Sequence, residues 1–143
     1  MKKFLYYLIQ WSWGLPMTLT GLIVFAICKI CGCRHYWYRN AICIVVASDF
    51  GGLELGMFFV RGKWNDNVCA HEYGHSIQNL WWGPLFPFVI AIPSAARYWW
   101  RRFYNRFLFK KTRKKLSPYD SIWFEGQATK LGKQADAGRW SWL

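Results

Sequence analysis

Residues 71–75 read His-Glu-Tyr-Gly-His and continue as Ser-Ile-Gln-Asn-Leu-Trp-Trp to residue 82. Residues four positions apart lie on one face of an α-helix, so a helix over 66–82 brings the imidazoles of His71 and His75 together. Glu72 then lies beside them. This HExxH pattern is typical of a helix that offers two histidines to one metal ion and a carboxylate to the adjacent water. The remaining segments of the chain are interpreted below by their position before or after this predicted helix.

Chance is a weak explanation for the pattern, because histidine and glutamate are both scarce in this chain. The chain has three histidines among its 143 residues. A random shuffle of the same residues would place HExxH somewhere in roughly one chain per thousand. The alternative is a helix whose histidines hydrogen-bond to their neighbours and bind no metal. The spacing favours the metal site.

A catalytic zinc site has three protein ligands and one position left for water, so one more ligand is expected elsewhere in the chain. The acidic residues that follow the pattern are Asp120, Glu125 and Asp136. Glu125 is the best placed of the three, because residues 118–132 are predicted to form a helix that carries it. An additional ligand from Asp120 or Asp136 would instead close the site and make it structural.

Together these segments resemble the gluzincin class of zinc metallopeptidases. In that class a Glu on a later helix, often followed by Ala three residues on, is the third zinc ligand, and residues 125–128 read Glu-Gly-Gln-Ala. The resemblance covers residues 71–132 and extends to small bacterial membrane-associated proteins with the same pattern. It implies that His71, His75 and Glu125 hold Zn²⁺ in a hydrolase, a metalloprotease that cleaves peptide or protein substrates with Glu72 as general base.

The chain also departs from the soluble members of that class. It has 49 residues between His75 and Glu125, and no histidine matches the residue that stabilises the transition state there. Tyr119 is a candidate to donate a hydrogen bond to the tetrahedral oxyanion instead. Asp120 is a candidate to orient a metal-bound imidazole.

Composition indicates contact with lipid. The length suits a single domain, 54% of the residues are hydrophobic and 21% are aromatic. The 25 residues from Phe4 to Cys28 contain no charged side chain, and as a helix they would extend about 37 Å, enough to cross a bilayer. We therefore predict an α+β membrane protein whose residues 1–31 form an N-terminal anchor with a transmembrane helix, kinked near Gly14-Leu15-Pro16.

Two further segments flank the histidine helix. Residues 41–60 predict a β-hairpin, which either offers an edge to an extended peptide or packs only as scaffold. Residues 83–115 combine an apolar stretch with a basic one, and three prolines interrupt residues 77–96. A complete crossing there would separate the histidines from Glu125 across the membrane, so a re-entrant segment is predicted.

The basic part of that segment predicts an interfacial helix. Residues 97–115 contain nine Lys or Arg and no acid, with aromatic residues between them, a composition that favours anionic membrane lipid. Nucleic-acid phosphate is the alternative ligand for such a surface. The net charge of +12 and the positive-inside rule suggest an integral protein of the bacterial inner membrane with its site toward the cytoplasm.

The cysteines are expected to be reduced. Their number is five, which does not suit a closed disulfide framework. Cys28, Cys31, Cys33 and His35 could bind a second metal, but their spacing matches no paired zinc pattern, which favours free thiols. Two other functions remain open. One is a non-enzymatic membrane protein that binds lipid or a partner, with a structural or vacant metal site, and the other is a membrane-tethered nucleic-acid binder.

Overall fold

The computed structural model describes residues 3–65, 68–108 and 115–139. Five α-helices and four strands are found there. They are α1 (Lys3–Gln10), α2 (Leu15–Ile30), β1 (Arg34–Tyr38), β2 (Ala41–Val46), β3 (Gly52–Leu55), β4 (Phe58–Gly62), α3 (Cys69–Trp82), α4 (Ile92–Phe103) and α5 (Trp123–Asp136). The fold class is therefore α+β. Two α-helices precede the strands in the sequence and three follow them.

The strands form one mixed sheet in the order β1-β2-β4-β3. The pairs β1–β2 and β3–β4 are antiparallel, while β2 and β4 are parallel. The predicted hairpin over 41–60 is wrong, because its second apolar run contains a turn. Gly56 has a φ of +71°, a conformation that glycine adopts at little cost, and it separates β3 from β4.

Helix α3 lies at the centre of the fold. Every residue from Glu72 to Leu80 is buried, so this helix is covered on all sides rather than on a single stripe. It packs against α5, the sheet and α1. A helix buried all round carries its polar side chains into the interior, where each needs a hydrogen-bond partner.

The predicted transmembrane helix is wrong. The apolar run divides into α1 and α2, which meet at a bend of 92°. In the described part of the chain, no single helix has both the length and the apolar character of a membrane span, and only α1 and α2 taken together across their bend meet that measure.

Buried polar side chains explain the bend. Gln10 and Thr18 are both completely buried, and the Gln10 amide donates to the Ser76 carbonyl at 3.1 Å and accepts from Asn79 Nδ2 at 2.7 Å. Thr18 Oγ1 donates to the same Gln10 oxygen at 3.1 Å. These bonds hold the α1–α2 bend against α3, so polar residues placed within a lipid span by their sequence position instead join the protein core.

The re-entrant prediction for the segment after α3 is also wrong. Helix α3 ends at Gly83, which has a φ of +48°, and the chain then stays helical from Pro84 to Leu108 without reversing. The prolines fall in the first turns of successive short helical pieces, where a missing N–H is tolerated. Wider π turns at Pro87–Ala91 and Tyr104–Leu108 keep the stretch continuous. We call residues 84–108 the long helical stretch.

Candidate metal centre

Helices α3 and α5 bring the three predicted ligands into one cluster. The Nε2 atoms of His71 and His75 lie 3.1 Å apart. Glu125 Oε2 lies 3.0 Å from the first of these nitrogens and 3.2 Å from the second. The histidines lie four positions apart on α3, while Glu125 reaches them from the first turn of α5. This buried group could hold a metal ion.

The triangle of donor atoms has the size that a small tetrahedral ion requires. Bonds of about 2.0 Å at tetrahedral angles place neighbouring ligand atoms about 3.3 Å apart, close to the three observed separations. The second carboxylate oxygen of Glu125 is buried and has no hydrogen-bond partner among the described residues. An unsatisfied buried carboxylate oxygen is costly unless a cation lies nearby. The donor set therefore fits a divalent metal.

Two glycines allow α3 and α5 to approach each other closely enough for this cluster. A β-carbon on Gly74 would overlap the Ala128 carbonyl, and one on Gly132 would overlap the Ala70 carbonyl. Each helix therefore contributes one glycine where it crosses the backbone of the other. Any larger side chain would separate the helices and move Glu125 away from the histidines.

Both histidine rings are oriented by their second nitrogen. Nδ1 of His75 donates to Gln78 Oε1 at 2.7 Å. The lone pair of Nε2 is then available to bind a metal. The same Gln78 amide donates to the Phe124 carbonyl at 2.9 Å and to Gln127 Oε1 at 2.8 Å. Nδ1 of His71 is hydrogen-bonded to Thr129 Oγ1 at 2.9 Å. Metal-binding histidines ordinarily have such partners.

His71 and Glu125 shift each other's pKa toward the charged forms. Burial would raise the pKa of Glu125, but hydrogen bonds from His71 and His75 outweigh burial and hold that pKa below its ordinary value. Burial alone would lower the pKa of His71, whereas the carboxylates of Glu125 and Glu72 raise it above 6.5. Each shift favours the charged form of its group in the metal-free protein. A divalent cation would replace the imidazolium proton as the positive charge.

Glu72 lies beside the cluster without being part of it. Its side chain is buried and lines the cavity next to the histidines. Gly52 at the start of β3 leaves space for the Glu72 side chain, because a β-carbon on Gly52 would overlap the Glu72 carboxylate. Burial raises the pKa of Glu72, and the neighbouring histidines oppose that rise. A carboxylate with a raised pKa is suited to accept and return a proton near neutral pH.

A second buried acid, Glu54, also lines the cavity. One oxygen of its carboxyl group accepts a hydrogen bond from the Gly56 N–H, and the other has no partner among the described residues. Burial raises the pKa of Glu54 well above its ordinary value, with a smaller contribution from Glu72. Glu54 therefore favours its neutral, protonated form more strongly than an exposed glutamate does.

The cavity at the cluster has a volume of about 690 Å³ and is open to solvent on one side. Its walls are mostly apolar and come from the loop before β3, the start of β3 and the long helical stretch. The apolar side chains that form them include Phe50, Leu53, Phe86, Ile90, Ala91 and Tyr98. A concave apolar site with a few convergent polar groups is typical of a ligand pocket.

The remaining predicted site residues divide into two sets. Tyr119 lies in the cavity wall with its ring 6.1 Å from that of His71, and its hydroxyl is 3.3 Å from Ser94 Oγ. Asp120 also lines the cavity. Asp136 lies away from the cluster and pairs with Arg39 at 2.7 Å.

The four residues considered for a second metal do not form such a group. Within the described residues, the cluster of His71, His75 and Glu125 is the one set of three or more metal-ligating side chains close enough to share an ion. His35 packs its ring edge-on against Phe25 instead. None of the five cysteines takes part in a disulfide.

Sequence reasoning missed the residues that support the ligands. Gln78 follows His75 by three positions, which on a helix places its side chain within reach of the imidazole, so this residue was detectable. Thr129 follows Glu125 by four positions and faces the same side of α5, which was also detectable. Glu54 gave no such signal, because its burial depends on the fold of the sheet.

No protein-family model, no curated protein and no solved structure matches this chain. The fold and the arrangement of the cluster are therefore the evidence on function.

Proposed function

We propose that this protein is a zinc-dependent metallopeptidase that hydrolyses peptide bonds. One observation carries the proposal: a metal-binding triangle, a buried glutamate outside that triangle and an open apolar cavity meet at one place. The three ligands leave a fourth position of a tetrahedral ion free, as in catalytic zinc sites. The HExxH pattern and the gluzincin resemblance give the same assignment.

Zinc is the metal favoured by the donor set. Two imidazole nitrogens and one carboxylate oxygen match known catalytic zinc sites, whereas magnesium and calcium prefer oxygen ligands throughout. A structural role is less well supported, because the described residues supply three ligands and no fourth. This count argues against the alternative of a non-enzymatic protein with a closed metal site.

Each side chain then has a definite task. When bound, zinc would lower the pKa of a water molecule to about 7 and polarise the substrate carbonyl. Glu72 accepts the proton from the attacking water and returns it to the leaving amine. Tyr119, whose burial raises the pKa of its hydroxyl, stays protonated and donates a hydrogen bond to the developing oxyanion. The apolar walls receive the substrate side chains.

The experiment has a binding part and a catalytic part. The zinc content of the purified protein is measured for wild type, His75→Ala, Glu125→Ala and the matched control Asp136→Ala. One zinc per chain is expected in wild type and in the control, and none in the two ligand variants. Loss in His75→Ala alone would remove Glu125 from the ligand set.

The catalytic part uses zinc-loaded protein and a library of fluorogenic peptides. Glu72→Gln is expected to retain zinc and to abolish cleavage, whereas Tyr119→Phe is expected to retain zinc and to lower kcat about a hundredfold. Cleavage at the wild-type rate by Glu72→Gln would refute its role as general base. A wild-type protein that binds no zinc after supplementation would refute the proposed function.

A further inference from the structure

A row of exposed apolar side chains follows one face of the long helical stretch. Its members recur at steps of three, four and seven residues and are 49–70% exposed, whereas a folded soluble protein ordinarily buries such side chains or scatters them. We call this row the apolar stripe. It consists of Leu85, Phe88, Ile92, Trp99, Phe103 and Phe107.

The opposite face of the same stretch already has a role. Phe86, Ile90, Ser94 and Tyr98 follow one another at four-residue steps and line the cavity. Because residues four apart share one side of a helical stretch, the stripe residues between them face other directions. Trp99 lies at the boundary and touches the cavity edge. One face of the stretch is therefore apolar because it lines the cavity. The five stripe residues other than Trp99 line no part of the cavity.

Positive charge accompanies the apolar stripe. Arg102 and Arg106 are exposed, each one position before a stripe phenylalanine, and Arg102 also donates a hydrogen bond to the Tyr98 hydroxyl at 3.3 Å on the surface. No acidic residue occurs between Glu72 and Asp120 in the sequence, and the whole chain has a net charge of +12. The pair between Arg102 and Asp49, at 3.6 Å and on the surface, is of the kind that contributes little. Arg97 and Arg101 instead bind the segment before α5.

These charges decide between the possible occupants of the face. A second copy of this chain would bring a like net charge of +12 against a segment that has no acidic residue, which opposes association. A surface of fixed negative charge is attracted instead, and long-stemmed arginines beside aromatic rings are typical of helices that lie in the headgroup region of a bilayer. The distance from Leu85 to Phe107 is about 33 Å in helical geometry, which allows contact along a flat surface.

We propose that the apolar stripe binds the surface of an anionic phospholipid bilayer. The long helical stretch lies parallel to the membrane, with the aromatic rings at headgroup depth and Arg102 and Arg106 paired with lipid phosphate. No helix needs to cross the membrane for this contact. The cavity stays on the protein side of the stretch, which forms a wall between the metal centre and the lipid.

Vesicle flotation tests this proposal, because bound protein rises with the vesicles while aggregated protein sediments. Zinc-free protein is mixed with vesicles of pure phosphatidylcholine or of phosphatidylcholine with 30% phosphatidylglycerol. We expect wild type to float with the anionic vesicles and to be released by high salt. Phe103→Ser/Phe107→Ser is expected to bind at least tenfold more weakly, and Arg102→Gln/Arg106→Gln about tenfold more weakly.

Two matched controls distinguish binding through the apolar stripe from non-specific hydrophobic or electrostatic binding to vesicles. Trp37→Ser/Trp64→Ser removes two aromatic residues elsewhere that are on average more exposed than Phe103 and Phe107. Lys130→Gln/Lys133→Gln lowers the net charge by the same amount as the arginine variant, on the exposed face of α5. Both controls are expected to bind like wild type. Equal loss in the controls, or unchanged binding of the Phe103/Phe107 variant, would overturn the proposal.

Self-association is distinguished by sedimentation velocity without lipid. A dimer that is lost in Phe103→Ser/Phe107→Ser, with no binding of wild type to anionic vesicles, would show that a second copy covers the face and would overturn the proposal. The outcome is independent of the peptidase assignment, because His75→Ala is expected to lose zinc and still to float with the vesicles.

Discussion

Gln78 accepts a hydrogen bond from Nδ1 of His75 at 2.7 Å. The opposite end of the same amide donates to the Phe124 carbonyl, one residue before the third ligand. Gln78 is completely buried, and this single side chain orients His75 on α3 and holds the start of the helix that carries Glu125. The position of Gln78 thus links the two halves of the metal centre.

The first prediction concerns this link. Gln78→Leu keeps an apolar volume in the core but removes all three hydrogen bonds, so zinc affinity should fall about tenfold to a hundredfold. Gln78→Glu retains an acceptor for His75 and loses the donors to α5. Its zinc affinity should lie between that of wild type and that of Gln78→Leu. Competition with a chromophoric chelator measures both. Gln134→Leu on α5 is the control, and equal affinity of all three variants would mean that α3 alone orients His75.

The second prediction separates the proposed role of Glu72 as general base from the proposed binding of the metal. Gly52→Ala places a methyl group where the Glu72 carboxylate lies, so Glu72 must move while the ligands on α3 and α5 stay in place. We expect zinc content to be unchanged and peptide cleavage to fall at least tenfold, because a base displaced by about 1 Å loses its alignment. In Gly51→Ala the added carbon meets only the edge of the Tyr98 ring, at 3.2 Å, and most activity should remain. Full activity in Gly52→Ala would contradict the placement of the base.

The third prediction concerns the helix crossing. Gly74→Ala would gain about 1 kcal/mol of helix propensity, but its methyl group would overlap the Ala128 carbonyl, so we expect the free energy of unfolding to fall by about 2 kcal/mol or more. Zinc affinity should fall as well, because Glu125 moves with α5. Urea unfolding and zinc titration measure the two effects. Lys133→Ala on the exposed side of α5 is the control, and a stabilised Gly74→Ala would show that the helices are farther apart.

The fourth prediction concerns pH. In the proposed zinc site protons compete with the metal for His71, whose pKa is raised above its ordinary value in the metal-free protein. Zinc affinity should therefore fall about tenfold per unit as the pH drops below that raised pKa. In the metal-free protein the sign is opposite, because protonated His71 stabilises the fold below pH 6.5 and this contribution is lost as the pH rises through the raised pKa.

The increase in Tm that zinc produces should accordingly be larger at pH 8 than at pH 6. Calorimetric titration and thermal unfolding at these two values measure the effect. His35→Ala is the control, since His35 packs against Phe25 and takes no part in the cluster. A zinc affinity that does not change between pH 8 and pH 6 would mean that His71 is not a ligand.

Local patterns predicted the parts of the site that lie on single helices. The four-residue spacing of His71 and His75 depends only on helical geometry, and the structure has both nitrogens on one face of α3. The placement of Glu125 on a later helix came from a resemblance and from the scarcity of acids. Its contact with the histidines depends on Gly74 and Gly132, whose role cannot be read without knowing which helices cross.

Burial and strand order could not be predicted in the same way. The apolar run from Phe4 to Cys28 has the composition of a membrane span, but Gln10 and Thr18 are hydrogen-bonded within the core and the run bends by 92°. The parallel pairing of β2 with β4 joins strands that are not consecutive, so no local turn signal encodes it. Hydropathy records how apolar a side chain is and not which surface covers it.

The sequence by itself determined which side chains are available: two histidines and a glutamate at one helical turn, a basic aromatic segment and a chain rich in apolar residues. These features depend on residue type and spacing along one element. Only the tertiary structure decided that Glu125 and Gln78 meet the histidines, that Glu72 lies next to Gly52 and that one face of the long helical stretch is left exposed. Such contacts join residues far apart in the chain, and the packing of whole helices and strands selects them.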